Sequence, residues 1–273
     1  MKKIKFVLAG FIIVTLFSGC LQVDTKVNLN QDGSGTIEET VVMKTEFINM
    51  MKEFAAIFDS AKIDEFNVFN EDRLKSRVGD FGEGVKYVSG ENYSIPGYEG
   101  FKALYTFTDI NKIRINPSPE DKVPFGEDSE ESDETSVNND FFLFKFSKGN
   151  PATLVVEFPK SENENNSSSE DTSEYEDSTF SDQNLEKLTD MFDGLKISTV
   201  LNFNSSIKET DASFIDGNTI TLLRVDFSEI IKNKEVMKNL EKKKPETMEE
   251  FKAAIGDLEG IKIEFKDKIT TKF

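Results

Sequence analysis

One cysteine, Cys20, closes a run of 12 mostly apolar residues, Phe6–Phe17, near the start of this 273-residue chain. Lys2, Lys3 and Lys5 precede the run, and Ser18-Gly19 separate it from the sulfur. This is the layout of an export signal. It is too short for a stable membrane span, which takes about 20 apolar residues. Residues 1–19 read as a signal peptide and residues 20–273 as a single domain. The processed chain holds no second sulfur for a disulfide, so its fold must rest on buried apolar surface.

Phe17-Ser18-Gly19-Cys20 resembles the lipobox of bacterial lipoproteins, with Phe where Leu is usual. The resemblance implies cleavage before Cys20, a diacylglycerol thioether on its sulfur and an acyl chain such as palmitate on the new amino terminus. Two or more chains hold a protein stably to a membrane, whereas one does not. Leu21 is not the Asp associated with inner-membrane retention. By the same resemblance the outer membrane is favoured in a cell with two membranes.

Composition narrows the chemistry. The chain has 25 Phe, no Trp and no His. Without His it lacks the commonest general base and the commonest metal ligand. Net charge is −18, and loss of the three signal lysines takes it to −21. Residues 116–140 carry nine acids against one Lys, and residues 159–183 carry eight against one. These Ser-rich acidic stretches cannot bury enough apolar surface to order themselves and read as two disordered insertions. The rest is mildly acidic with no basic stripe, which excludes a nucleic-acid partner.

Periodicity outlines the elements. Val23, Thr25, Val27 and Leu29 alternate with Asp24, Lys26 and Asn28. After Asn30-Gln31-Asp32-Gly33-Ser34-Gly35 the alternation resumes at Ile37, Val41 and Met43, interrupted by Glu39. This predicts a β-hairpin. Phe47, Met50, Met51, Phe54, Ile57 and Phe58 then fall at helical spacing, with Thr45 as the predicted cap. A short helix is expected over 71–78, and strands from Val85 onward, with Pro96-Gly97 as the turn before the alternation of Phe101, Ala103, Tyr105 and Phe107. Phe141–Phe146 and Leu154–Phe158 form a second hairpin. A helix through Leu185, Leu188, Phe192 and Leu195 leads to a strand at 197–203. Asp216-Gly217 turns into an apolar strand, 220–227. A helix over 228–243 stops before Pro245. Thr247-Met248-Glu249-Glu250 opens another, ended by Gly260, and a strand through Ile261, Ile263 and Phe265 closes the chain. Hairpins outnumber βαβ units, so the fold class is α+β: a mostly antiparallel sheet with amphipathic helices packed on it.

Few motifs carry chemistry. Asn28-x-Asn30-x-Asp32-Gly33 with Glu39 at the twelfth place matches a calcium-loop template, but its flanks alternate as strands and favour a plain β-turn. No metal or cofactor is expected. With no His, no free Cys and neither a nucleophile elbow nor a phosphate loop, no catalytic constellation stands out, and the chain reads as not an enzyme. A carboxylate pair cannot be singled out among 51 acids. The Lys242-Lys243-Lys244 run, with Lys234 and Lys238, suits either a helix carboxyl end or anionic lipid.

Two patches resemble a known family. Gly19–Val23 followed by Val27–Thr36, and later Thr210-Asp211-Ala212 with Asp216–Thr221, resemble LppM-type envelope lipoproteins. The resemblance implies an anchored α+β domain that binds lipid or another envelope component, and brings no catalytic residues.

The expected function is therefore a lipid-anchored cell-envelope protein that binds a lipid or other hydrophobic ligand. The candidate ligand face is Phe47, Met50, Met51, Phe54 and Phe58, and Cys20 is the lipidation site. The alternative is an envelope assembly or surface protein that works through a protein partner, such as one added to a sheet edge.

Overall fold

A computed structural model describes residues 21–58, 68–118, 141–159, 194–243 and 248–273. The signal, Cys20, most of both acidic stretches, the helix expected through Leu185–Phe192, and Thr247 lie outside these residues.

The first hairpin forms as its alternation requires, from β1 (Leu21–Leu29) and β2 (Gly35–Lys44), paired antiparallel over their full length. Gly33 takes a positive φ of 89° in the turn, and a Cβ there would stand 2.8 Å from the Phe146 ring. The Asp32 carboxylate closes the turn by accepting from the Ser34 N–H (3.0 Å) and hydroxyl (2.6 Å). Asn28 and Glu39 project to opposite faces of the hairpin, so the calcium template does not converge on one point.

Helix α1 (Thr45–Phe58) follows β2 directly. Thr45 is its first residue rather than its cap, and its N–H donates to the Gly97 carbonyl at 3.0 Å. Helix α2 (Glu71–Ser76) is capped by Asn70 and runs into a 3-10 turn, Arg77–Phe81. Strands β3 (Lys86–Ile95) and β4 (Tyr98–Phe107) form the next hairpin. After β5 (Arg114–Ile115) come β6 (Phe142–Ser147) and β7 (Thr153–Glu157), the second predicted hairpin. Then follow β8 (Lys196–Phe203), β9 (Glu209–Thr210), β10 (Ile215–Asp216) and β11 (Thr219–Asp226).

The helix expected over 228–243 is two helices, α3 (Phe227–Lys232) and α4 (Lys234–Lys243). Asn233 breaks it: the Asn233 side chain accepts from the Glu235 and Val236 amides (3.1 Å each) and so starts the second helix. Helix α5 (Met248–Ile255) ends at Gly256, with a φ of 61°, four residues before the expected Gly260. Strand β12 (Ile261–Ile263) is shorter than expected, and a further strand, β13 (Lys268–Lys272), was not foreseen.

The architecture is α+β, but with two sheets rather than one. The large sheet runs β10-β11-β8-β1-β2-β4-β3, with β12 also on β11. The smaller runs β5-β6-β7-β13-β9. Among the described strands every pair is antiparallel except β1 with β8. One core joins the two sheets: Val27, Leu29, Tyr105 and Phe203 from the large sheet, and Phe142, Phe144, Leu154 and Ile269 from the small. Phe273 stacks at 4.5 Å on Phe203 and reaches Phe146 at 6.2 Å. A satellite cluster of Val225, Ile230, Val236 and Ile255 holds the three late helices beside β11.

The polar interruption in β2 proves structural. Glu39 is fully buried and takes two bonds from the Arg77 guanidinium, at 2.8 and 3.3 Å. Burial opposes the Arg77 charge, but Glu39 outweighs it and raises the guanidinium above its ordinary range. Tyr105 packs on Phe81 at 4.7 Å and donates to the Leu74 carbonyl at 3.2 Å. Burial, then the Glu39 charge, pushes its phenol up as well. Removing one partner of such a pair strands the other charge in the core. We expect Glu39→Ala to cost about 3–5 kcal/mol in urea unfolding. Replacing both partners, as Glu39→Leu with Arg77→Met, should recover most of that loss.

Candidate functional site

The helix face expected to bind ligand divides when placed on the fold. Phe47 is buried in the core, Met51 is partly buried against it, and Met50 is 51% exposed. Ile48, absent from the expected face, takes a core position. A helix turns about 100° per residue, so a face centred on 47, 48 and 51 leaves position 50 to the side. The side chains of Phe54 and Phe58 lie outside the described residues. On β6, Phe142 and Phe144 are core residues and Phe146 packs at its margin.

The pocket lies elsewhere, on the face of the large sheet turned away from this core. Its volume is about 390 Å³, within the usual range for ligand sites. Strand pairing explains how the pocket is assembled. Arg224, Ser198, Asp24 and Thr40 form one row across β11, β8, β1 and β2. Asp226, Lys196, Gln22 and Val42 form the next row. Side chains two apart on a strand share a face, so both rows project into the same space.

Tyr93 and Ile95 of β3 make the far wall. Gly100 of β4 pairs with both Val42 and Tyr93, and it lies between them. No side chain fits at Gly100, where a Cβ would stand 1.8 Å from the Val41 carbonyl oxygen. The Lys102 ammonium sits 3.7 Å from the centre of the Tyr93 ring and holds it by a cation–π contact.

Two acids and two bases line this space. Lys196 donates to Asp226 at 2.7 Å, and that bond raises its pKa. Asp226 also accepts from the Ser228 amide at 3.1 Å and from its hydroxyl, which caps α3. Burial pushes the Asp226 carboxyl up, but the bonds from Lys196 and Ser228 outweigh it and hold it below the usual range. Asp24 goes the other way. Solvent reaches it from the pocket mouth, yet the protein around its carboxyl removes enough water to raise its pKa. Arg224 and Lys26 offset part of that rise, and Glu38 adds to it. Between Arg224 and Asp24 lies Ser198, 9% exposed, whose Oγ is buried with no hydrogen-bond partner among the described residues. A buried hydroxyl without a partner is costly. A carboxyl whose titration is perturbed by burial in a cleft is also a recurrent mark of a binding site.

The rest of this face is self-satisfied. Asn202 donates to Asn28 (3.0 Å), and Asn28 donates to Thr36 (3.1 Å) and Glu38 (2.7 Å). Among the pocket-lining residues, the buried hydroxyl left without a partner is that of Ser198, beside the first residues of β1. The exposed lysines Lys242 and Lys243 close α4 and do not line the pocket.

The sequence placed Asp24 on the solvent side of β1. It offered no sign that Ser198 and Arg224 would join Asp24, because β1–β8 pairing is parallel and spans 174 positions. Among the described residues no group of three or more acids or sulfurs is arranged to hold a metal.

No protein-family model matches the chain, and no curated protein matches it. Among solved structures it is similar to the folded domain of Mycobacterium tuberculosis LppM, determined by NMR, at 12% identity and a TM-score of 0.31. That match covers 77% of this chain and 84% of the other. A likeness this loose assigns no residue and no ligand here.

The raised carboxyl at Asp24 gives a test with a defined sign. The unfolded group titrates near 3.8, and in the fold it keeps its proton to higher pH. Its charge therefore costs stability at neutral pH, and the cost fades as the pH falls toward 3.8. We expect Asp24→Asn to stabilise the fold slightly at neutral pH. In urea titrations across pH, the gain should shrink under acid.

Proposed function

We propose that this is a lipid-anchored cell-envelope protein whose α+β body is a non-enzymatic binding module for an amphiphilic ligand. The ligand occupies the open-face pocket rather than the Phe and Met face of α1. The observation that carries this reading is the buried, unpartnered Ser198 hydroxyl between Arg224 and Asp24, beside the apolar surface of Val42, Tyr93 and Ile95. Apolar walls with a few polar groups are what amphiphile recognition needs. The anchor rests on the signal layout and the single cysteine at its end. Among the described residues no helix is long and apolar enough to cross a membrane.

A second reading, attachment of a protein partner to a sheet edge, draws on β3. It is a ten-residue edge strand of the large sheet with Val88 exposed. The register shifts between Tyr87 and Ser89, and an edge irregularity of that kind blunts strand addition. The pocket is the stronger candidate.

Labelled palmitate should enter the wild-type protein in cells, and Cys20→Ala should leave the membrane pellet. Native mass spectrometry of the acylated protein offered a membrane lipid extract should show uptake. Thr40→Tyr, which fills the pocket, should abolish uptake. Phe47→Leu, a core change, should lower stability and leave uptake in place. Equal uptake by Thr40→Tyr would contradict the assignment.

A further inference from the structure

The pocket starts almost at the anchor. Cys20 precedes Leu21, the first residue of β1, and adjacent Cα atoms are about 3.8 Å apart. A strand rises about 3.3 Å per residue, which puts Asp24 only about 13 Å along the chain from Cys20. In the strand register, Lys196 and Asp226 stand level with Gln22, and Tyr98 stands level with Lys44 at the same end. A protein held by Cys20 therefore presents this end of its sheet to the membrane surface.

We propose that the pocket reads the polar headgroup of a phospholipid in the same membrane that holds Cys20, with the acyl chains left in the bilayer. This rests on the anchored, ligand-binding reading above and goes further by naming the ligand's chemistry and its approach. The phosphate lies against Arg224 and Ser198. The donor at the headgroup tip, an ammonium or a hydroxyl, lies against Asp24.

The lining selects this chemistry. Asp24, Lys196, Arg224 and Asp226 make an acyl chain a poor occupant, because burying charges against hydrocarbon is costly. Two acids and two bases balance, so the site does not favour a polyanion. A guanidinium suits a phosphate through paired N–H donors, and the Ser198 hydroxyl is free to donate beside it. Asp24 offers its carboxyl oxygens to a donor from the other side of Ser198. Val42 and Ile95 give the glycerol end an apolar rest. Tethering supplies the remaining affinity, because a short link makes every headgroup encounter effectively intramolecular.

The test uses the full acylated protein labelled with 3-fluorotyrosine, in phosphatidylcholine nanodiscs. The chain has five tyrosines, and Tyr93→Phe assigns the pocket signal. Adding phosphatidylethanolamine, which brings an N–H donor that phosphatidylcholine lacks, should shift the Tyr93 signal. Arg224→Ala should abolish the shift, and Arg224→Lys should keep part of it. A flexible Gly/Ser linker of about 20 residues after Cys20, spanning roughly 25 Å, should weaken the apparent affinity about tenfold.

An unchanged titration with the linker overturns the same-membrane approach. A full shift on adding inorganic phosphate to phosphatidylcholine discs overturns the headgroup assignment, as does a shift that survives Arg224→Ala. Soluble short-chain phosphatidylethanolamine separates the two levels of the claim. If it moves Tyr93 in the linker variant, the pocket binds headgroups, and the linker result alone decides the approach. If it moves Tyr93 in no variant, the pocket reading fails as well.

Discussion

Strand β1 is the constraint on which the large sheet is built. It pairs antiparallel with β2 and parallel with β8, so every other strand of that sheet adds outward from it. Its odd-numbered residues, Leu21 to Leu29, enter the core, and its even-numbered residues floor the open face. The same nine residues therefore hold the core and carry the pocket. Since β1 begins one residue after the cysteine, they also fix which end of the body meets a membrane if that cysteine is acylated.

The buried ion pair links the two faces. Glu39 projects into the core and binds Arg77, while the next residue, Thr40, lines the pocket from the other side of β2. Holding Glu39 holds that stretch of strand, and with it the floor of the site. Burying Glu39 at 0% exposure carries a desolvation cost, which the two bonds from Arg77 must offset. The pocket differs in kind. Its lysine is half exposed, and Ser198 keeps a hydroxyl unspent. The Glu39–Arg77 pair is engaged in the core, whereas the Ser198 hydroxyl is left available in the pocket.

Much of the framework was legible because it is local. Alternation in β1 and β2, the helical spacing after Thr45, and the turns at Pro96-Gly97 and Asp216-Gly217 each point to the element that forms. Long-range features left weaker traces. The parallel pairing of β1 with β8 has no signature in either strand. The separate small sheet depends on β13, whose Lys-Ile-Thr-Thr-Lys pattern is short and mild. Asn233 within a helical stretch was the one cue to the break between α3 and α4. Glu39 read as a flaw in the strand, since its partner lies 38 residues away on a 3-10 turn. The apolar face of α1 drew notice as a ligand site, but apolar faces most often close a core, and Phe47 and Ile48 do that here. The pocket residues, polar and apolar alike and scattered over five strands and a turn, become a site only once the sheet is assembled.

The central claim is that the anchor sets the pocket end of the sheet against the membrane. Acylation consumes the one native thiol, so an introduced cysteine can be spin-labelled alone. Ser94 stands level with Leu21 in the register across β3, β4 and β2, while Gln31 lies in the turn beyond Leu29, about 26 Å or more up the strand. Relaxation of a label at Ser94→Cys or Gln31→Cys by a headgroup-bound paramagnetic ion, in membranes holding the acylated protein, measures the height of each. The account requires strong relaxation at position 94 and little at 31. Equal relaxation at both positions, or the reverse order, would contradict it.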